Sequence, residues 1–330
     1  MSLAKAQRVV RTVDAAAATD LDHYYYTDEG PSACEGQTCE MAALVDWNPM
    51  AADQCAAIPE IGLIDTAVDL NHRALKGQSI DVVEIAKEGA RTSQPDHGTA
   101  IAALLAGRSD SGIPGLLPKV KIVSVDAFSN DGGGRDRTDV VALVKALEAL
   151  AERQVRIINM SLSGPPNNVL KQAIQAAQKK GIIIIAAAGN NGPGAEPSYP
   201  AAYEGVIAVT AVDHQRKVYS RATRGPYVDL AAPGVGIRTA SATETVAVRS
   251  GTSYAVPYIT AAAALARAHD PGMDVAQVRA RLEESAQDLG EPGRDTTYGY
   301  GLIQMSRLCM LPNDEQPVAQ SQHALDMGVP

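Results

Sequence analysis

From residue 61 onward, short runs of β-branched residues alternate with stretches of helical periodicity. No other feature constrains the fold as strongly. Ile61-Gly62-Leu63-Ile64, Val120 to Val125, Val155 to Met160 and Gly181 to Ala187 read as strands. Between them His97 to Gly107, Thr138 to Arg153 and Asn167 to Lys180 read as helices. In the second of these, Val140, Leu143, Val144, Leu147 and Leu150 share one side. Unbroken apolar runs such as Ile182-Ile183-Ile184-Ile185 suit strands covered on both faces. The alternation therefore predicts an α/β fold, a parallel sheet with helices on each side. After Gly205 come shorter strands, Val206 to Val212 and Tyr227 to Leu230, then helices near 252–268 and 274–285.

Three segments follow. Residues 1–58 carry the run Tyr24-Tyr25-Tyr26 and no long periodic stretch, and read as an irregular arm; residues 59–310 form the main domain; residues 311–330 read as a polar tail. Hydrophobic residues make up 45% of the chain but include one Trp and one Phe, so aliphatic side chains must fill the core. The net charge of −9 gives no basic face for nucleic acid. No apolar run reaches eighteen residues, which excludes a membrane-spanning helix of ordinary length. The chain is expected to be a monomer. Cys34, Cys39, Cys55 and Cys309 are read as disulfide-forming, with Cys34–Cys39 and Cys55–Cys309 the first pairings considered. Free thiols and a zinc site are the alternatives, and connectivity stays open. Disulfides would place the protein outside the cytoplasm, secreted or periplasmic.

Chemistry concentrates in three places. Ser250-Gly251-Thr252-Ser253-Tyr254-Ala255-Val256-Pro257 delivers a serine to the mouth of an alanine-rich helix, where backbone N–H groups lack internal partners and favour negative charge. Alone, the motif reads first as a helix cap. Asp65 ends a buried strand, where functional groups of open α/β sheets gather. His97 opens a helix.

Together these segments carry a resemblance. Asp65-Thr66-Ala67-Val68-Asp69, His97-Gly98-Thr99-Ala100-Ile101-Ala102 and the Ser250–Pro257 block are similar to the three signature blocks of the subtilisin-like serine peptidases, in the same chain order. Gly115-Leu116-Leu117-Pro118, Asn159 to Pro165, Ala187 to Gly192, Tyr199-Pro200-Ala201 and Tyr298 to Ile303 also fit, so the resemblance covers about 60–305. It implies a three-layer α/β/α fold with a mainly parallel twisted sheet. It implies a serine endopeptidase in which Ser253 attacks, His97 moves the proton, Asp65 holds His97, and Asn190 with the Ser253 N–H faces the oxyanion. The polypeptide substrate would lie as an extended strand between Ser161-Leu162-Ser163-Gly164 and the glycine loop around Gly132 and Gly133. Ala187, Ala188 and Gly189 would wall the primary pocket, with Asn191 and Ser198 near its base, and an uncharged side chain would enter it. A histidine base predicts activity that falls as pH drops through about 6–7.

There are departures. Ala67, Ala100, Ser250 and Tyr258 replace residues usual in the family, and none of them removes the chemistry. Ala74 stands where calcium-binding members carry Asp, and Gly107 to Pro114 offers Asp110 as its only carboxylate, too few oxygens for a calcium ion. No cofactor is expected for the reaction, and a structural calcium is not expected. The arm is one means of clamping the domain in its place. The competing reading is a protein of this fold that binds or regulates with little turnover.

Overall fold

The apolar runs become one parallel sheet. The computed structural model describes residues 3–14, 16–27, 41–47, 57–85, 91–130, 132, 135–242 and 246–308. Strands β2 (Ile61–Asp65), β3 (Ile80–Glu84), β5 (Ile122–Asp126), β8 (Ile157–Met160), β10 (Ile183–Ala187), β11 (Ile207–Val212) and β12 (Leu230–Pro233) form the central sheet. Their spatial order is β12-β11-β10-β8-β2-β5-β3, and every neighbouring pair is parallel. Side chains alternate between two cores. Ile61, Leu63, Ile183 and Ile185 face one cluster, while Ile64, Ile158, Ile182 and Ile184 face the other.

Helices α3 (Asp96–Ala106), α6 (Val256–His269) and α7 (Val275–Ser285) pack in the first cluster. Helices α4 (Val140–Glu152) and α5 (Asn168–Lys179) pack in the second, which completes the three-layer α/β/α architecture. α6 is buried nearly all round, and its alanines let it approach the sheet closely. α4 starts at Val140 rather than Thr138, because the Asp139 side chain accepts from Ala142 N at 2.8 Å and caps it. The expected strand at Tyr227 to Leu230 instead begins at Leu230. The edge strand β3 gave no sequence signal, since only Val83 of its five residues is buried.

Among its described residues the arm holds regular elements. α1 (Leu3–Val13) is a helix with no buried residue. β1 (Tyr24–Thr27) is a strand of a second sheet. α2 (Met41–Leu44) leads to Met41, Val45 and Trp47, all buried in the first core, and Trp47 Nε1 donates to Leu116 O at 2.9 Å. The second sheet joins β4 (Arg91–Thr92), β6 (Ser129–Asn130), β7 (Asp136–Asp139) and β9 (Leu162–Ser163) with β1, in the order β4-β6-β7-β1-β9. A four-residue strand is too short to show a period in sequence, and its partners lie more than a hundred residues away. A hairpin of β13 (Ile237–Thr239) and β14 (Ala247–Arg249) flanks α3. The four cysteines, Gly133 and the tail at 311–330 lie outside the described residues. Among the described residues, no helix is long and apolar enough to cross a membrane.

Candidate active site

Asp65 is the last residue of β2, at the carboxyl end of the sheet. Its Oδ1 accepts from Thr66 N at 2.7 Å and meets His97 Nδ1 at 2.7 Å. Both side chains are buried. His97 lies on the first turn of α3, and that turn is pressed onto the chain leaving β2. A Cβ on Gly98 would fall 2.3 Å from Thr66 O, so only glycine allows this approach. Gly98 N donates to Thr66 Oγ1 at 2.9 Å, and Asp69 N donates to Thr99 Oγ1 at 2.8 Å. Beside His97, Asp96 Oδ1 accepts from Ser241 Oγ and Ala242 N, and its carboxylate pairs with Arg249 of β14. The negative charge suits a helix start and locks the hairpin against it.

Ser253 sits in a one-turn 3-10 segment, Thr252–Tyr254, that runs into α6. Pro257 near the start of α6 is pre-set for a first helical turn. Gly251 N donates to Gly234 O at 2.8 Å, which ties this turn to the end of β12. The buried Ser253 hydroxyl donates to Ser161 O at 3.3 Å. Ser161 Oγ in turn donates to Ser253 O at 2.9 Å. Asn159 Nδ2 donates to Ser161 Oγ at 2.9 Å, and Thr260 Oγ1 of α6 lies 3.1 Å from Asn159 Oδ1. This buried chain fixes the backbone of the nucleophile turn against β8. The Tyr254 ring lies 5.7 Å from the His97 ring, so the histidine and serine turns adjoin.

Asn190 follows β10 in a loop and is buried. Its Oδ1 accepts from Thr252 N and Thr252 Oγ1, each at 3.1 Å. That leaves Nδ2 buried with no hydrogen-bond partner among the described residues. An orphaned buried donor costs about 1–3 kcal/mol. Its orientation suits a negative oxygen that arrives only during reaction. Thr252, Asn159 and Thr260 stood in or beside the sequence motifs, but their roles depend on atoms meeting across 62 to 101 positions.

Ser161, Leu162, Ser163 and Gly164 run past the nucleophile, and Gly164 exchanges backbone hydrogen bonds with Tyr199 at 2.8 and 3.0 Å. Gly132 sits between β6 and β7 with φ +84°. The strand that follows is β7, Asp136–Asp139. Ala187, Ala188 and Gly189 line up behind Asn190, and a Cβ on Gly189 would fall 2.1 Å from Ser198 Oγ. Tyr227 donates its hydroxyl to Ala188 O at 2.6 Å. Asn191, expected near the base of this pocket, is exposed, and its N–H turns to Thr223 Oγ1 at 3.3 Å. Tyr258, on α6, is buried, and burial pushes its hydroxyl pKa far above the ordinary tyrosine value, so it stays neutral.

Arg108 N donates to Ala74 O at 2.8 Å, and the Arg108 guanidinium reaches Lys76 O and the Asp110 carboxylate. Among the described residues, no three His, Cys, Asp or Glu side chains gather as a metal site.

Comparison with known proteins gives consistent findings. The profile of the Subtilase family (peptidase S8) matches residues 59–301. The chain is 34% identical to subtilisin DY of Bacillus licheniformis, over 74% of this chain and 88% of that one. It is 33% identical to thermitase of Thermoactinomyces vulgaris, over 74% and 86%. It is 35% identical to the minor extracellular protease Epr of Bacillus subtilis (strain 168), over 63% of this chain but 32% of Epr. The crystal structure of fervidolysin from Fervidobacterium pennivorans, a keratinolytic enzyme related to subtilisin, superposes with a TM-score of 0.73 at 25% identity. That match covers 83% of this chain and 46% of fervidolysin.

Proposed function

The chain belongs to the subtilase family of serine endopeptidases, and from that premise we propose that Asp65, His97, Ser253 and Asn190 carry its peptide-bond hydrolysis. The observation that carries this assignment is the buried 2.7 Å contact between Asp65 Oδ1 and His97 Nδ1, beside the turn that presents Ser253. Ser253 Oγ attacks the scissile carbonyl carbon while His97 Nε2 takes its proton. Asp65 holds the tautomer with the proton on Nδ1 and stabilises the imidazolium. The carbonyl oxygen becomes an oxyanion that accepts from Asn190 Nδ2 and the Ser253 N–H. Collapse breaks the C–N bond, and His97 hands its proton to the leaving amine. Water, activated by the same His97, then hydrolyses the acyl-enzyme and restores Ser253.

Groups of this chain supply nucleophile, base and oxyanion donors, so the reaction needs no cofactor. The polypeptide substrate lies extended along Ser161 to Gly164, paired through its backbone. The small walls at Ala187, Ala188 and Gly189 favour an uncharged side chain. The protein acts as a monomer outside the cytoplasm, secreted or periplasmic, a reading supported by its cysteine content and by an extracellular relative. Intact mass with and without reductant tests the disulfides on which the compartment rests.

A fluorophosphonate probe tests the mechanism. The parent chain is expected to be labelled on Ser253 and the Ser253→Ala variant not at all. Equal labelling of both, or none of either, sinks the assignment and leaves the low-turnover reading.

A further inference from the structure

The net charge of −9 conceals a local excess of the opposite sign. α1 holds three of the chain's 29 basic residues, Lys5, Arg8 and Arg11, and none of its 38 acidic ones. Its apolar residues are segregated as well. At the helical period, Leu3, Ala6, Val9, Val10 and Val13 share one side, while Lys5, Gln7, Arg8, Arg11 and Thr12 share the other. The apolar stripe packs on neither core: no residue of α1 is buried, and Val13 is 85% exposed. Leu3, Val9 and Val10 are exposed with it. A helix of this length is marginal in water and draws its stability from a surface that covers its apolar face. Among the described residues nothing covers it.

The basic charge continues onto a second helix. Arg11 and Thr19 share a cleft with Asn168, Lys171 and Gln175 of α5. α5 carries Lys171 and Lys179 and no acidic residue, Lys180 follows it, and all three lysines are exposed. The carboxylates of the connecting segment are engaged with backbone. Asp14 Oδ1 accepts from Ala16 N at 2.9 Å, Asp20 Oδ2 from Asn168 N at 2.8 Å, and Asp22 Oδ1 from Val140 N at 2.9 Å. The cations of α1 and α5 therefore face no carboxylate on either helix.

An occupant of this face must offer apolar depth and negative charge together. A second copy of α1 offers the first but repels through its own cations. A soluble polyanion offers charge without depth. The surface of an anionic bilayer offers both. α1 is about 16 Å long, roughly half the thickness of a bilayer core, so it can lie in the headgroup plane but cannot cross.

We propose that α1, flanked by the lysines of α5, is a docking element for an anionic lipid surface. Leu3, Val9, Val10 and Val13 enter the boundary between headgroups and acyl chains, while Lys5, Arg8 and Arg11 reach back to the lipid phosphates. The stripe is short, so the attachment is peripheral and reversible. Docking through α1 is independent of the catalytic assignment; joined to it, peptide cleavage is held at a lipid surface.

Sedimentation of the whole chain with vesicles tests this. Vesicles of phosphatidylcholine and phosphatidylglycerol in equal parts should pull the protein down, vesicles of phosphatidylcholine alone should not, and added salt should release it. Lys5→Gln, Arg8→Gln and Arg11→Gln should each lower the partition coefficient about fivefold, and together about a hundredfold. Val9→Asp/Val10→Asp should abolish binding. Because α1 buries nothing, all these variants should keep the parent Tm and fluorophosphonate labelling. On the parent, the amides of residues 3–13 should exchange more slowly with the mixed vesicles than in buffer. No pull-down by mixed vesicles, equal pull-down by both kinds, or parent-like binding by the variants overturns the docking. So does a dimer in light scattering that Val9→Asp/Val10→Asp dissolves, or binding of soluble polyphosphate as tight as binding of vesicles. None of these outcomes bears on Ser253, and a parent chain that fails to label overturns the catalytic reading alone.

Discussion

Asn190 owes its use to Thr252. Both acceptor contacts of the amide oxygen go to Thr252, so the nitrogen can only point the other way. Asn190→Ala should lower kcat by about 10²–10³, the range measured for such a donor in subtilisin, with KM nearly unchanged. Thr252→Ala keeps the donor but releases its orientation, so a smaller loss of kcat is expected from the same assay. A rise of KM with kcat unchanged in Asn190→Ala would mean that the amide binds ground state and transition state alike. Asp65→Asn should cost about 10⁴ in kcat by favouring the wrong histidine tautomer. The family resemblance singled out Asp65, His97, Ser253 and Asn190, each in a short motif at the end of a strand or the start of a helix. It did not reach the Thr260–Asn159–Ser161 chain, whose members are ordinary polar residues until the fold stacks α6 on β8.

Among the elements, α3 and β1 carry different kinds of information. The helix was legible from its small and apolar periodicity, while its close approach through Gly98 emerges only in the fold. Gly98→Ala would drive a methyl group into the Thr66 and Ala67 carbonyls. It should destabilise the fold by about 1–3 kcal/mol, as overpacking does, and lower kcat by displacing His97 from Asp65. A chemical denaturation curve and a turnover assay read the two effects separately. β1 was not legible, because its structure comes from two edges near positions 138 and 162 and not from its own four residues. Gly164→Ala is its counterpart test. The added methyl would meet the Tyr25 ring, and the Tyr24–Thr27 amides should then exchange faster than in the parent.

Taken whole, the molecule has an arm in two parts with two thermodynamic roles. Residues 24–27 pair with β7 and β9, whereas residues 41–47 bury Met41, Val45 and Trp47 in the first core. Burying three such side chains is worth about 1.5–3 kcal/mol each, a large share of an ordinary domain's stability. Deleting 1–58 should therefore lower Tm sharply, and deleting 1–27 should lower it much less. Equal falls would show that residues 1–27 carry the stability. High pH should act through tyrosine. Burial raises the pKa of Tyr25 and, more simply, of Tyr258. A folded pKa above the unfolded value near 10 contributes stability that is complete below about pH 10 and lost as pH rises further. Thermal melts should stay flat with respect to these groups up to that pH and fall beyond it. Ultraviolet titration should find Tyr25 and Tyr258 ionising after the exposed tyrosines.

Trp47 is the single tryptophan of the chain. Its indole N–H is bonded to Leu116 O, and its ring lies in the core. Ultraviolet emission excited at the red edge thus has one source, at the junction of arm and domain. Undocking of residues 41–47 would wet the indole and shift its colour, while a movement of β1 alone would leave its emission unchanged. The protein carries a built-in optical gauge that separates the two movements, with no dye attached.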